Sequence, residues 1–225
     1  MSKHRTIKKP DNLFSNVGVD DAFREDYKEI FETSKFKREL TNPILIEKAI
    51  THAKQEERGY ENKNTIVLVH PFHFLNHKLD FSKYQKKLEF VLKNSYPDFS
   101  LVLYESYLDY LGKTAKLATQ GCFDKIIFSK QDSGFPINEF ELIYFNDKFV
   151  YVAGLYNGGC IGTTLTEITE NSTSRKIRAI KDLILNDPAI SKDKINPKKI
   201  YDRWSNKAKT TTLSDLFEDK YEMNF

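Results

Sequence analysis

A thiol, an amine and an imidazole stand at positions from which they could serve one reaction. Cys160 lies in "FVYVAGLYNGGCIGTTLTEI", where an apolar strand gives way to a helix. A thiol that opens a helix faces the positive end of the helix dipole, which favours the nucleophilic thiolate. Gly158 and Gly159 leave room for a substrate carbonyl. They also let the Gly159 and Cys160 N–H groups point at the oxygen that turns negative during attack, as an oxyanion hole requires. Lys130 ends the run "KIIFSK" and precedes "QDSGF", and its ammonium would favour the thiolate further. His70 ends "NTIVLVH" and is suited to taking or giving a proton. Each residue also has a plainer reading: a packed cysteine at a tight turn, a solvated lysine at a strand end, a structural histidine. Cys122, in "ATQGCFDKI", reads as packing.

These residues can meet only if the fold brings strand ends together. The runs "NTIVLVH", "SLVLYES", "KIIFSK", "FVYVAG" and "DLILND" are short and rich in β-branched residues, without strict alternation, as expected of strands buried on both faces. Between them, "FSKYQKKLEFVLKNS", "LDYLGKTAKLATQG" and "INEFELIYFND" read as helices, and "TTLTEITENSTSRKIRAI" as a helix interrupted near Asn171. "NPKKIYDRWSNK" reads as a later helix, "AKTTT" as a short edge strand and "LSDLFED" as a closing turn. Strands alternating with helices imply βαβ units, a parallel sheet and right-handed crossovers. The expected fold is therefore α/β: a three-layer α/β/α sandwich around a mostly parallel sheet of about six strands. Ligands of such sheets sit beyond the carboxyl ends of the strands, which singles out His70, Glu105, Lys130, the segment 154–160 and Asp187.

Residues 1–63 differ in character. "DDAFREDYKEIFETSKF" places Phe23, Tyr27, Ile30 and Phe31 on one helical face, and "NPILIEKAITHAKQEERG" has Asn42 as N-cap and Gly59 as stop. The expectation is a helical N-terminal extension over 1–63 packed on a core domain over 64–225.

A chain of 225 residues buries roughly 70% of its unfolded surface and folds without disulfide or metal staples. With 35 basic and 32 acidic residues, the net charge of +3 describes a mixed, solvated surface that demands neither nucleic acid nor an acidic membrane. "SRKIRAIK" and "SKDKINPKK" lack the aromatic interleaving of an RNA site. The two cysteines cannot build a disulfide framework, nothing resembles a secretory signal, and no apolar run approaches a membrane span. A cytoplasmic protein is expected, with a small-molecule substrate and no nucleic-acid or membrane partner.

The order of these motifs resembles the isochorismatase-like cysteine hydrolases, which include nicotinamidases and N-carbamoyl amidohydrolases. Lys130, Ser133, Gly134 and Phe135 match the family's strand-ending lysine and the small residue and phenylalanine that follow. Gly154, Cys160, Ile161 and Thr164 match its cysteine segment, and "YDRWSNKAKTTTLSDLF" resembles its closing helix, strand and turn. The resemblance spans residues 64–217. It implies that Cys160 is the nucleophile, with Lys130 and His70 as catalytic partners and Gly159 and Cys160 supplying the oxyanion hole. Phe135, Tyr156, Phe72 and Glu105 then line the substrate pocket, with no cofactor and a homo-oligomeric assembly. The family ends its first strand with an aspartate that exchanges a proton with the cysteine, whereas this chain has His70 there. A neutral imidazole can accept a thiol proton, and Glu105 and Asp132 are substitute carboxylates by position.

"GGCIG" fits the elbow of class I glutamine amidotransferases, but no histidine follows His77 to serve it. The stretch "HPFHFLNH" spaces His70, His73 and His77 as metal ligands on a helix would be, yet Pro71 argues for a loop. Some nicotinamidases bind a metal through an aspartate and two histidines, and no aspartate stands in that place here, so no metal is expected. The alternative to a hydrolase is a catalytically inactive relative that keeps the fold to bind a ligand or a protein.

Overall fold

The computed structural model describes residues 64–76, 79–106, 123–130, 134–157, 159–187 and 209–218. The expected N-terminal extension, the expected helices at 108–121 and 196–207, Cys122, Asp132 and Gly158 lie outside these residues.

Six strands form one sheet: β1 (Asn64–Val69), β2 (Ser100–Ser106), β3 (Lys125–Ser129), β4 (Phe149–Asn157), β5 (Lys176–Asn186) and β6 (Lys209–Thr211). Every neighbouring pair runs parallel. Their order is β3-β2-β1-β4-β5-β6. The chain starts in the middle, builds outward to β3, then returns to β4 and builds outward the other way. The order reverses between β1 and β4, the place where a doubly wound sheet opens a crevice at its carboxyl edge.

Both faces of the sheet are covered, as the unalternating apolar runs require. On one face α1 (Ser82–Asn94) buries Tyr84, Leu88 and Val91 against Ile66, Leu68, Leu101 and Leu103. On the other, α2 (Cys160–Asn171) buries Ile161, Leu165 and Ile168 against Val67, Val69, Val102 and Tyr104. The three layers expected from the sequence are present. A short 3-10 helix, Glu139–Phe145, stands where "INEFELIYFND" reads as an α-helix, and it adds Leu142 and Phe145 to the second face.

The largest departure from the sequence reading concerns 172–186. Helix α2 stops at Asn171, Ser172 is already extended, and Lys176–Asn186 form one long strand. "KIRAI" is therefore strand, not helix, and Ser174 and Arg175 belong to the link before it. The strand's charged residues are tolerated because the side chains of Lys176 and Lys181 are exposed and that of Arg178 is only part-buried. Its register against β4 jumps from Val152↔Ala179 to Gly154↔Ile184. The extra residues turn Asp182 inward, where it accepts from Lys87 Nζ on α1 (3.2 Å) and from the Leu213 N–H (3.0 Å). That N–H opens α3 (Leu213–Leu216), which a Thr212–Asp215 capping box closes.

Close approach at the switch point requires glycine. Gly154 pairs with Val69 and has φ +120°, and a Cβ there would stand 2.0 Å from the Val69 carbonyl oxygen. Any side chain would force β1 and β4 apart where the sheet must stay closed.

Candidate functional site

The segment "HPFH" folds as a turn, with the His73 N–H donating to the His70 carbonyl (3.1 Å) and Pro71 following the first turn residue. His70 sits in the left-handed region at φ +43°, uncommon for a non-glycine residue and the kind of outlier that functional sites hold. Its own N–H still donates to the Tyr104 carbonyl (2.9 Å), so β1 is pinned to β2 up to the turn. The turn leads into the 3-10 helix His73–Asn76 and lays the His73 ring on that of His70, with centroids 4.9 Å apart and planes 26° from parallel.

Strand alternation places Glu105 on the α1 face with Leu101 and Leu103. There its Oε1 meets His70 Nδ1 at 2.9 Å, and both side chains are fully buried. One ligand atom from each of His70, His73 and Glu105 lies within 4.8 Å of the others. Tyr84 of α1 adjoins them. Its hydroxyl is buried without a hydrogen-bond partner among the described residues. Burial first, then the charge of Glu105, then Tyr156 hold its pKa well above the usual phenol range. It is a neutral hydroxyl with a proton to give.

Cys160 belongs to the other face. It is half-buried, opens α2 after Gly159, and packs against the cluster of Val67, Tyr104 and Ile161. Gly134, with φ +59°, lies directly on its backbone: a Cβ there would come within 2.4 Å of the Cys160 carbonyl oxygen and 3.0 Å of Thr164 Oγ1. Thr164 Oγ1 donates to the Gly134 carbonyl at 3.4 Å. The matched positions Gly134, Cys160 and Thr164 thus form one contact. Behind them Tyr104 is buried, with a hydroxyl that has no partner among the described residues. Burial, then Glu167, Glu141 and Cys160 raise its pKa well above the phenol range.

The remaining expected site residues divide between these two groups. Lys130 is exposed, its N–H donates to the Phe135 carbonyl (2.7 Å), and its charge reaches Glu167 of α2. Phe135 is exposed, whereas Phe72 is buried in the α1-face cluster and Tyr156 packs partly against it. Glu105 is not an open pocket wall, because it is fully buried on His70. The Gly159 N–H, expected to face an oxyanion, donates instead to the Tyr156 carbonyl (3.1 Å). The first-turn N–H groups that follow it, from Cys160 onward, have no acceptor within the helix by its geometry. No hydrogen bond joins Cys160 to His70 among the described residues. The sequence marked His70 and Glu105 separately as strand ends, and the β1–β2 pairing joins them. It gave no signal for Tyr84 or Tyr104, which read as ordinary core aromatics.

Compared with protein-family models, with curated proteins and with solved structures, the chain finds no match in any of the three. Among the described residues no helix is long and apolar enough to cross a membrane.

Proposed function

We propose that the chain is a hydrolase that cleaves a small amide or related C–N bond through a thioester on Cys160. The observation that carries this reading is topological. Cys160 and the His70–Glu105 pair stand at the carboxyl edge of β4, β1 and β2, on either side of the point where the strand order reverses. The Cys160 sulfur attacks the carbonyl carbon, the carbonyl electrons move to oxygen, and the helix N-terminus stabilises that oxyanion. The C–N bond then breaks, and the nitrogen leaves as amine or ammonia after taking a proton. Glu105 holds the His70 ring in one orientation, as the carboxylate of a nucleophile–histidine–acid set does, so that it can carry the proton. Water cleaves the thioester by the same steps in reverse order.

The test is to incubate the full chain with a panel of small primary amides and N-carbamoyl compounds. Ammonia release is followed, and acid-quenched protein is examined for an acyl mass on the Cys160 peptide. An adduct that disappears in Cys160→Ser supports the reading. Turnover retained in Cys160→Ala overturns it.

A second reading, a non-catalytic ligand-binding module, is favoured by one observation: the Gly159 N–H is already taken by the Tyr156 carbonyl. It predicts that a ligand of the same class protects Cys160 from alkylation without ever being cleaved.

A further inference from the structure

We propose that His70, His73 and Glu105 form a binding site for a divalent first-row transition ion, with Zn2+ the best match. The proposal does not rest on the chemistry of Cys160, which lies on the other face of the sheet.

The donor set is the first argument. Two imidazoles and one carboxylate are ligands that Zn2+ and its neighbours take, and three protein ligands leave a coordination position open for water or a substrate atom. The geometry is the second. The three ligand atoms lie within 4.8 Å of one another, and His70 Nδ1 is 2.9 Å from Glu105 Oε1. In a tetrahedral site with bonds of about 2.1 Å, ligand atoms stand about 3.4 Å apart, so small side-chain rotations suffice. The local fold holds the rings for this purpose. The turn at His70–His73 stacks them, and β1–β2 pairing fixes Glu105 opposite.

The surroundings are the third argument. A carboxylate and an imidazole are fully buried beside Phe72, Phe74 and Tyr84, in an otherwise apolar cluster. Burying a carboxylate costs several kcal/mol unless a charge repays it, and a bound cation supplies such a charge. Tyr84 supplies a fourth polar group. Its buried hydroxyl has no partner among the described residues. His70, His73 and Glu105 would hold the ion, and its open position would take water or a substrate atom.

The experiment uses the full chain stripped with a chelator and titrated with Zn2+ and, separately, with Co2+. One equivalent should bind, the melting temperature should rise with free Zn2+, and the Co2+ complex should show visible ligand-field bands without a thiolate charge-transfer band. His73→Gln, at a half-buried position, should weaken binding at least about 100-fold, and Tyr84→Phe about tenfold. Cys160→Ser should bind as the parent does. Circular dichroism matching the parent shows that each variant is folded, and His73→Gln remains decisive if the buried His70 and Glu105 variants do not fold. Absence of saturable Zn2+ and Co2+ binding overturns the proposal. So does parent-like affinity in His73→Gln, or a thiolate band that a cysteine substitution removes.

Discussion

Replacing Gly134 by alanine tests whether the segment around residue 134 is a working part of the thiol's surroundings. Gly134 has φ +59°, where an L-residue pays about 1–2 kcal/mol. The added methyl would stand 2.4 Å from the Cys160 carbonyl oxygen and 2.9 Å from its Cα. Ordinary contact needs about 1 Å more, and the opposing atoms are helix backbone that cannot rotate away, so overpacking adds about 1–3 kcal/mol. The sum, about 2–5 kcal/mol, is a large part of the 5–15 kcal/mol that holds a typical domain together. With a urea dependence of about 3 kcal/mol per molar, the midpoint falls by roughly 1 M. The first turn of α2 must also yield, widening the gap over a half-buried thiol. Alkylation of Cys160 by iodoacetamide, read by peptide mass spectrometry in native buffer, should quicken several-fold. A midpoint within about 0.2 M of the parent, together with an unchanged labelling rate, would refute the packing on which the site rests.

Three further outcomes are expected. Glu105→Gln should slow Cys160 alkylation about tenfold or more if the His70–Glu105 pair draws the thiol proton, whereas an unchanged rate in a folded variant separates the pair from Cys160. Asp182→Ala removes the carboxylate that accepts from Lys87 and from the Leu213 N–H but keeps the residue-182 carbonyl that Lys87 also reaches, and it should cost about 1–3 kcal/mol in urea unfolding, while Asp182→Asn, which keeps an acceptor, should cost clearly less. Glu167 has its pKa raised, by burial first and then by Glu139 and Glu170, against the pull of Lys130. The folded chain therefore keeps the Glu167 proton where the unfolded chain has lost it, so this residue's contribution to stability falls as pH rises above about 4.5. Glu167→Gln should raise the urea midpoint at neutral pH, leave it nearly unchanged near pH 4, and flatten the slope between.

Sheet content was legible in this chain because a strand covered on both faces has to be apolar throughout. "IVLV" within β1 and "IIF" within β3 carry that requirement, with polar residues confined to the strand ends. The same reasoning fails at Lys176–Asn186. A strand with exposed and part-buried positions can carry Lys176, Arg178 and Lys181, and a charged, partly alternating run after a helix reads as more helix. The start of α2 was legible from "GGC", whereas its end was not, because Ser172–Ser174 could as well have lain within a helix. Site residues were legible as strand ends. What decided their pairing was strand order, and order is not a local property of sequence: His70 meets Glu105 because β2 lies beside β1 on the side away from β4.

That neighbourhood also explains why a histidine can stand at the end of β1. Val69 is hydrogen-bonded between Tyr104 on one side and Gly154 on the other, so the next residue is held at the junction of both halves of the sheet. Parity turns its side chain to the α1 face, where apolar neighbours, Tyr84 and the His73 ring meet it among the described residues. A fully buried imidazole there needs a polar partner, and Glu105 is the β2 residue whose parity and register supply one. The carboxylate in turn gains a charge-assisted partner in the imidazole. His73, stacked by the "HPFH" turn, is the third group this turn delivers to the same point. The thiol on the opposite face has no such dependence. Among the described residues its position is set by Gly134, Thr164 and the helix start. A substrate lying across the carboxyl edge of β1 and β4 is what would bring thiol and imidazole to one reacting centre, as the proposed hydrolysis requires.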